Sequence, residues 1–192
     1  MRPEGLFYRG GFLTEEEEAA LIAEVERLDY QQVVMRGQAA RRTVVHFGWD
    51  YGYEGFNKLW PTVEPPGWLR ALADRCAAVV EVEPASLEQF LVARYPAGAT
   101  IGWHRDAPMF GSPVVGLSLG SICTMRFRRK EADGFETHAH LLEPRSLYAL
   151  TGPARTQWQH SIPAVKGLRY SITMRTVKNA EARRARYSTP PP

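Results

Sequence analysis

Two histidines and one aspartate have the side-chain types and the spacing of a metal site. His104 and Asp106 are separated by one residue, so on a β-strand their side chains would project from the same face. A third ligand must come from elsewhere, and His160 is the best candidate because it follows a β-like stretch. Two imidazoles and one carboxylate leave three positions of an octahedral ion open, which favours non-haem Fe(II) oxygen chemistry. The same ligands also suit a catalytic zinc ion, which is the chief competing interpretation.

The segment 169–175 alternates between polar and apolar residues. Its odd-numbered positions are Arg169, Ser171, Thr173 and Arg175, so a strand here would present one cationic and polar face. Two arginines on an inward face are costly without an anion, and a guanidinium binds a carboxylate through two hydrogen bonds. Beside the predicted metal ligands, the arginine pair indicates a bound dicarboxylate, for which a zinc hydrolase has no evident need. The alternative is an amphipathic outer strand with solvated arginines.

The remaining histidines are predicted not to bind the metal. His138 and His140 also stand one residue apart, but they follow a turn-like segment and are predicted to face solvent on an edge strand. His46 is compatible with either the cleft or the core. Trp103, which precedes the first predicted ligand, should point away from His104 by strand alternation, into the core on the opposite face of the sheet.

Composition sets limits on the class of protein. The 192 residues with 44% hydrophobic content suit one globular domain, and Cys76 and Cys123 are expected to be small core residues. A net charge of +3 and a pI of about 9.0 are compatible with a polyanionic partner, although many enzymes are equally basic. No apolar run approaches the roughly 18 residues of a membrane span, and Met1–Gly5 lacks the apolar stretch of a signal peptide. We therefore expect a cytoplasmic monomer without membrane contact.

Helices come first in the chain and strands follow. Thr14 and Glu17 have the spacing of a capping box ahead of an amphipathic helix, and a second helix is predicted over about Gly67–Val80. From Leu87 onward, short β-rich runs alternate with Gly and Pro, which is typical of a sandwich or barrel backed by helices. The predicted strands are Leu87–Tyr95, Val114–Leu119, Ile122–Arg128, His138–Leu142, Ser146–Leu150, Trp158–Ile162 and Leu168–Val177. Residues 1–180 are predicted to form the domain, and residues 181–192 a basic, Pro-ended, flexible tail that begins helical.

Within residues 87–177, the chain resembles the AlkB family of Fe(II)/2-oxoglutarate-dependent dioxygenases. The order and spacing of the matching pieces agree, and the combination of His-x-Asp, a distal histidine and Arg-x5-Arg is specific for this family. The matching pieces are Tyr95-Pro96-Ala97-Gly98-Ala99, His104-Arg105-Asp106, Val115 to Gly120, His160-Ser161-Ile162 and Arg169 to Arg175. The resemblance implies an α+β, mainly β fold: a double-stranded β-helix (jelly-roll) core with N-terminal helices packed on one sheet.

The resemblance also implies a role for each matching residue. The Fe(II) ligands would be His104, Asp106 and His160. The 2-oxoglutarate pocket would be lined by Tyr95, Ser118, Arg169, Ser171 and Arg175. Within it, Arg169 would pair with the distal carboxylate, helped by the Tyr95 hydroxyl, and Arg175 would lie near the iron and the proximal end of the cosubstrate. Catalysis would therefore depend on the three ligands, Arg175, 2-oxoglutarate and O2.

Two positions depart from the family pattern. Ala93 and Ser171 stand where the family often has asparagine. Both changes remove amide hydrogen bonds near the cosubstrate, which would weaken its binding unless a water replaces them.

The family acts on alkylated bases of DNA or RNA, and some members act on proteins. The expected activity is oxidative demethylation of N-alkylated bases, releasing succinate, CO2 and an aldehyde. A base oxidised at its edge must enter a pocket, which requires aromatic platforms and cations for the backbone. Residues 35–56 look like the substrate-facing lid of some members. The candidate substrate residues there are Arg36, Arg41, Arg42, Trp49 and Tyr51, and Arg126, Arg128 and Arg129 add charge elsewhere. The alternatives are a hydroxylase or demethylase of a protein or small molecule, and a non-catalytic nucleic-acid-binding module.

Overall fold

Two antiparallel β-sheets lie face to face in the computed structural model, which describes residues 1–35, 37–51 and 59–188. The strands are β1 (Leu6–Arg9), β2 (Gln31–Met35), β3 (Gln38–Phe47), β4 (Trp49–Tyr51), β5 (Leu59–Pro61), β6 (Gln89–Tyr95), β7 (Ile101–His104), β8 (Phe110–Gly120), β9 (Cys123–Glu131), β10 (Gly134–Leu142), β11 (Ser146–Leu150), β12 (Gln159–Ile162) and β13 (Arg169–Val177). The helices are α1 (Glu15–Glu26), α2 (Gly67–Val80), α3 (Gly152–Thr156), α4 (Ala180–Ser188) and a 3-10 turn at Pro84–Ser86.

The larger sheet has seven strands in the order β1-β11-β8-β13-β6-β3-β2, and the smaller sheet has four in the order β10-β9-β12-β7. Strands β4 and β5 form a separate ribbon. Neighbours in both sheets run antiparallel and are mostly distant in sequence. The predicted jelly-roll core is confirmed.

Strand β6 shows why the larger sheet is apolar on both faces. Phe90 and Val92 pack in the cluster formed with the two long helices, whereas Leu91, Ala93 and Tyr95 point between the two sheets. A strand buried on both sides reads as a nearly continuous apolar run. Helices α1 and α2 thus cover the outer face of the larger sheet, as predicted.

Both predicted helices begin as the sequence indicates. The Glu17 backbone N–H donates to the Thr14 side-chain oxygen at 3.1 Å, and the Thr14 N–H donates to the Glu17 carboxylate at 2.9 Å, which completes the capping box. Helix α2 covers the predicted residues 67–80 and buries Cys76. Cys123 is also a buried free thiol, so both cysteines are core residues as expected. None of the helices in the described part of the chain combines the length and apolar character needed to cross a bilayer.

The first and last elements of the described residues make contacts that the sequence patterns did not predict, although the tail was expected to begin helical. Strand β1 pairs with β11 at the edge of the larger sheet. Helix α4 contacts β5, and the Tyr187 hydroxyl donates to the Leu59 carbonyl at 2.7 Å. The division between a domain of residues 1–180 and a flexible tail stays a prediction, although most of α4 lies beyond that boundary and packs on the domain.

Candidate active site

Strand pairing brings the three predicted metal ligands together on the inner face of the smaller sheet. His160 on β12 is the direct cross-strand partner of His104 on β7, and their ring centroids are 4.3 Å apart. Asp106 follows β7 by two residues, and its Oδ2 lies 3.8 Å from His160 Nε2. Two ligand atoms at right angles on one ion lie about 3 Å apart. A small movement of the carboxylate would therefore complete the set.

The protonation states of the three side chains suit a divalent cation. His104 Nδ1 lies 2.9 Å from the Gly102 carbonyl oxygen, which can only accept, so Nδ1 donates and Nε2 keeps its lone pair. Burial lowers the pKa of His104 and brings the pKa of His160 to about 3, so both rings are neutral near pH 7. Burial alone would raise the pKa of Asp106, but Arg175, His160 and His104 hold it well below its ordinary value. The donor set is thus two neutral imidazoles and one carboxylate.

The guanidinium of Arg175 is hydrogen-bonded to one carboxylate oxygen of Asp106. Arg175 donates to Asp106 Oδ1 from Nε at 2.8 Å and from Nη2 at 2.7 Å, and its Nη1 donates to Gln89 at 2.7 Å. The cavity beside these groups has a volume of about 40 Å³. Within the described ranges, no three His, Cys, Asp or Glu side chains form a complete metal-binding group as they stand. Arg175 contacts Asp106 Oδ1, whereas Oδ2 is the oxygen that faces His160, so the carboxylate can offer Oδ2 to an ion while it keeps its contact with Arg175.

Arg155 fixes the loop that carries Asp106, and sequence reasoning missed it. Its buried guanidinium donates to the backbone carbonyls of Asp106, Ala107, Phe110 and Gly111 at 3.0–3.2 Å. These bonds tie the loop to α3; the Ala107 carbonyl also accepts from the Phe110 N–H at 3.1 Å. An isolated arginine in Gly152-Pro153-Ala154-Arg155 has no spacing signal that could have revealed this role.

A second buried arginine lies on the central strand β13, which also carries Arg175. Arg169 is fully buried, and its cross-strand neighbour on β6 is Tyr95. The guanidinium carbon of Arg169 lies 5.1 Å from the centre of the Tyr95 ring. Its Nε donates to Ser118 Oγ at 3.1 Å, but Nη1 and Nη2 have no hydrogen-bond partner. Buried donors without partners are costly. A carboxylate would satisfy both nitrogens, so the residues present fit a dicarboxylate.

These features are matched by the comparison with known proteins. The model of the family described as the 2OG-Fe(II) oxygenase superfamily matches residues 5–184. The chain belongs to the 2OG-Fe(II) oxygenase superfamily. Members of this superfamily use Fe(II), 2-oxoglutarate and O2, which confirms the predicted enzyme class and cofactors at the level of the family.

Individual relatives of this oxygenase are AlkB homologues, which confirms the predicted resemblance. The chain is 28% identical to the "Alkylated DNA repair protein ALKBH8 homolog" of Arabidopsis thaliana, over 91% of the chain and 59% of that protein. It is 30% identical to the "tRNA (carboxymethyluridine(34)-5-O)-methyltransferase ALKBH8" of Macaca fascicularis, over 85% and 25% of the two proteins. It is 31% identical to the "DNA oxidative demethylase ALKBH2" of Mus musculus, over 68% and 58%. The chain thus spans between a quarter and three fifths of these relatives.

The fold is also shared with a solved structure. "The structure of OsALKBH1" superposes with a TM-score of 0.66 at 18% identity and covers 92% of this chain and 99% of that one. At this identity the likeness shows the fold alone.

The cavity beside the predicted metal ligands contains a further cation. Arg42, predicted as a lid residue, is buried and lines the cavity, with its guanidinium carbon 5.9 Å from the Tyr95 ring. The two departures from the family pattern, Ala93 and Ser171, are cross-strand neighbours that also line the cavity. Their small side chains leave more room beside Tyr95 than two asparagines would.

The other predicted substrate residues have different environments. Trp49 is fully buried, packs with Leu59 and Phe110, and lies under the Arg184 guanidinium at 5.0 Å, which excludes the predicted exposed base platform. Tyr51 is partly buried and packs edge-on against Phe110 at 5.5 Å. Arg41 is exposed.

The proposed lid is only partly described. Arg36 and residues 52–56 lie outside the described residues, and residues 38–47 form β3 in the larger sheet. The substrate-facing lid therefore stays a prediction.

Three aromatic predictions outside the site need correction. His138 and His140 do lie on an edge strand, but they are partly buried: His138 lies 6.2 Å from the Phe127 ring and His140 lies 4.4 Å from Tyr8. Trp103 points away from His104 as expected, yet it lies on the outer face of the smaller sheet and not in the core.

His46 faces the interior behind the site. Its Nδ1 lies 3.3 Å from Gln89 Nε2, and Gln89 Oε1 in turn accepts from Arg175. Burial lowers the pKa of His46 to about 3. His46 therefore belongs to the hydrogen-bonded surroundings of Arg175, as a neutral ring.

Proposed function

We propose that this chain is an Fe(II)/2-oxoglutarate-dependent dioxygenase that oxidatively demethylates N-alkylated nucleic-acid bases. The observation that carries the proposal is the buried Arg169, whose two nitrogens have no hydrogen-bond partner. Its guanidinium lies against Tyr95, and Tyr95 lines the same cavity as His104, Asp106 and His160. One buried group needs a carboxylate, and the neighbouring groups suit a divalent cation. A cosubstrate that carries two carboxylates and chelates iron satisfies both requirements.

The cofactor supplies the oxidising power, and the chain supplies position and protonation. When bound by His104, Asp106 and His160, Fe(II) with 2-oxoglutarate and O2 provides an oxidant for a substrate C–H bond. Gly102 orients the His104 ring, and Arg155 holds the loop of Asp106. Burial of the site excludes bulk water.

The residues of the pocket have distinct roles toward the cosubstrate. We infer that Arg169 takes one carboxylate of 2-oxoglutarate, with the Tyr95 ring against its guanidinium and Ser118 fixing its Nε. Arg175 keeps Asp106 ionised and holds its Oδ1, which leaves Oδ2 for the ion, and Arg175 would lie near the other end of the cosubstrate. Arg42 adds positive charge to the same wall.

The balance of the proposed reaction explains its products. 2-Oxoglutarate loses CO2 and becomes succinate, which carries one atom of O2. The other oxygen atom enters the methyl C–H bond and gives an N-hydroxymethyl group. That hemiaminal breaks its C–N bond and releases formaldehyde and the unmodified base.

The choice of nucleic acid rests on the relatives and on charge. The names of the similar proteins refer to alkylated DNA, DNA demethylation and a tRNA uridine. The chain itself carries a net charge of +3, which is compatible with a polyanionic substrate. A monomeric state and a cytoplasmic location stay predictions.

The test is turnover with a defined panel of substrates. Chain loaded with Fe(II) should release succinate and formaldehyde in equal amounts from an N-methylated oligonucleotide and none of the aldehyde from its unmethylated copy. DNA and RNA versions of the oligonucleotide separate the two substrate classes. Turnover on a methylated peptide alone would show that the substrate is wrong, and failure to consume 2-oxoglutarate under every condition would refute the reaction.

A further inference from the structure

The outer face of the smaller sheet carries alternating cationic and aromatic side chains. Arg128 lies with its guanidinium carbon 4.5 Å from the Trp103 ring and 4.6 Å from the Phe135 ring, and Arg126 lies 5.2 Å from Trp103. We call these four residues, Trp103, Arg126, Arg128 and Phe135, the arginine-aromatic face. They come from three different strands and form one continuous surface.

Strand alternation explains how this face arises. On β9, Met125 and Phe127 are buried between the sheets, so Arg126 and Arg128 must point outward. On β7, a register irregularity lies between the pairs formed by Ile101 and His104. Both of these residues face the cavity, and Trp103 between them points outward.

The charges on this face are not neutralised by carboxylates. In the part of the chain that the structure describes, Arg126, Arg128 and Lys130 take part in no ion pair. Arg129, between them in sequence, differs because it pairs with Glu131 at 3.0 Å and Glu136 at 2.8 Å. Positive charge is therefore concentrated on the outer side of β9, where it attracts anions.

The geometry of the arginines favours recognition over loose attraction. Stacking on an aromatic ring holds a guanidinium in place while its N–H groups in the ring plane stay accessible. Arg128 is fixed further because its Nε donates to Gln159 at 2.8 Å. Phe135 remains 53% exposed, which leaves an aromatic surface on which a base can stack.

We propose that the arginine-aromatic face binds the backbone of a single-stranded nucleic-acid segment that flanks the base in the active site. The proposal rests on the proposed function and identifies where the substrate strand runs. Strand β7 is the edge of the smaller sheet, and Trp103 directly precedes His104. A single-stranded nucleic acid that passes over β7 can contact both the arginine-aromatic face and the side of β7 that carries His104. Cations interleaved with aromatic rings are the recurrent surface for single strands.

The experiment measures binding of an unmodified 12-nucleotide single strand by fluorescence anisotropy at several salt concentrations. The variant carries Arg126→Gln and Arg128→Gln. Loss of two phosphate contacts should reduce the slope of log Kobs against log[salt] by roughly 1.4, and should weaken binding by about tenfold at low salt. The matched control carries Arg9→Gln and Arg27→Gln, which remove the same charge. Arg9 is also exposed and stacked, on Phe12, and Arg27 follows α1 on the far side of the larger sheet.

Parallel turnover separates this proposal from the proposed function. A methylated mononucleoside is too small to reach the arginine-aromatic face, so the variant should demethylate it at the wild-type rate. Wild-type binding and salt slope in the variant would overturn the proposal, and persistent demethylation of the methylated oligonucleotide would then leave the proposed function standing. Absence of oligonucleotide binding by the wild type would also overturn it. Equal loss of polyglutamate binding in the variant would show that nucleic acid is not the specific partner.

Discussion

Replacing Arg169 with methionine should abolish tight 2-oxoglutarate binding and leave the folded protein intact. Methionine has a similar length and no charge, so it can occupy the buried space on β13. The variant loses the two hydrogen bonds that the unpaired Nη1 and Nη2 would give a carboxylate. Hydrogen bonds to charged groups contribute about 2 kcal/mol each, so the loss is about 4 kcal/mol or roughly a thousandfold in Kd.

The same structure predicts the effect on stability. Without ligand, wild-type Arg169 buries two donors without partners, so the unliganded methionine variant should be at least as stable as the wild type. With 2-oxoglutarate at a hundred times its Kd, the wild type should gain about 2.7 kcal/mol, and the variant should gain nothing at that concentration. The two effects have opposite signs, which separates loss of binding from loss of folding.

Titration calorimetry and thermal unfolding with 2-oxoglutarate and Mn(II), without oxygen, would measure both quantities. Arg94→Met is the matched control because Arg94 is adjacent to Tyr95 on β6 and points to the opposite face of the sheet. A Kd within threefold of the wild-type value in Arg169→Met would refute the assigned role. An equal loss in Arg94→Met would show that the effect is not local.

Three further results are expected. Asp106→Ala should take up no Fe(II) at concentrations that saturate the wild type and should release no succinate, while circular dichroism stays unchanged; full activity would refute the ligand assignment. Arg155→Met should lower the free energy of unfolding by about 3 kcal/mol and Fe(II) affinity by ten- to a hundredfold, because four backbone carbonyls around Asp106 lose the guanidinium donor. Urea unfolding and metal titration measure the two losses, and a wild-type metal affinity would contradict the positioning role. Without metal, the free energy of unfolding should be highest above pH 6.5 and should fall as the pH is lowered toward 3. The reason is that the pKa values of His46 and His160 are about 3 in the folded protein, whereas histidine in the unfolded chain is already protonated below its ordinary pKa of about 6.5. At pH 5.5, protonation of each of these histidines in the unfolded chain lowers the free energy of unfolding by about 1.4 kcal/mol. Because His46→Asn removes one of the two contributions, the free energy of unfolding of this variant in urea should depend less on pH. An unchanged pH profile would contradict this.

Local patterns in the sequence predicted most of the elements, because those patterns are governed by interactions within a few residues. The capping box of Thr14 and Glu17 marked the start of α1. The alternation from Arg169 to Arg175 predicted a strand, and the fold makes it central, which is why its polar face lies inside. His104 and Asp106 had the right spacing, and the β-like surroundings of His160, together with the family resemblance, predicted its proximity to them.

Features that depend on distant contacts could not be predicted in this way. Trp49 looked like an exposed platform, but α4, more than 130 positions later, covers it with Arg184. Trp103 was placed in the core because no sequence signal shows which side of β7 faces outward near a register irregularity. Arg155 acts on backbone carbonyls, which every residue possesses, so its partners leave no pattern in the sequence.

The position of β13 in the chain has a consequence for how the protein is made. Among the strands of the described residues this one comes last in sequence, yet it lies between β8 and β6 at the centre of the larger sheet. A nascent chain that ends before residue 169 therefore exposes two unpaired strand edges, which invite pairing with other molecules. Arg169, Ser171 and Arg175 arrive with the strand that joins those edges, so completion of the sheet and assembly of the proposed cosubstrate pocket would be one event in biosynthesis.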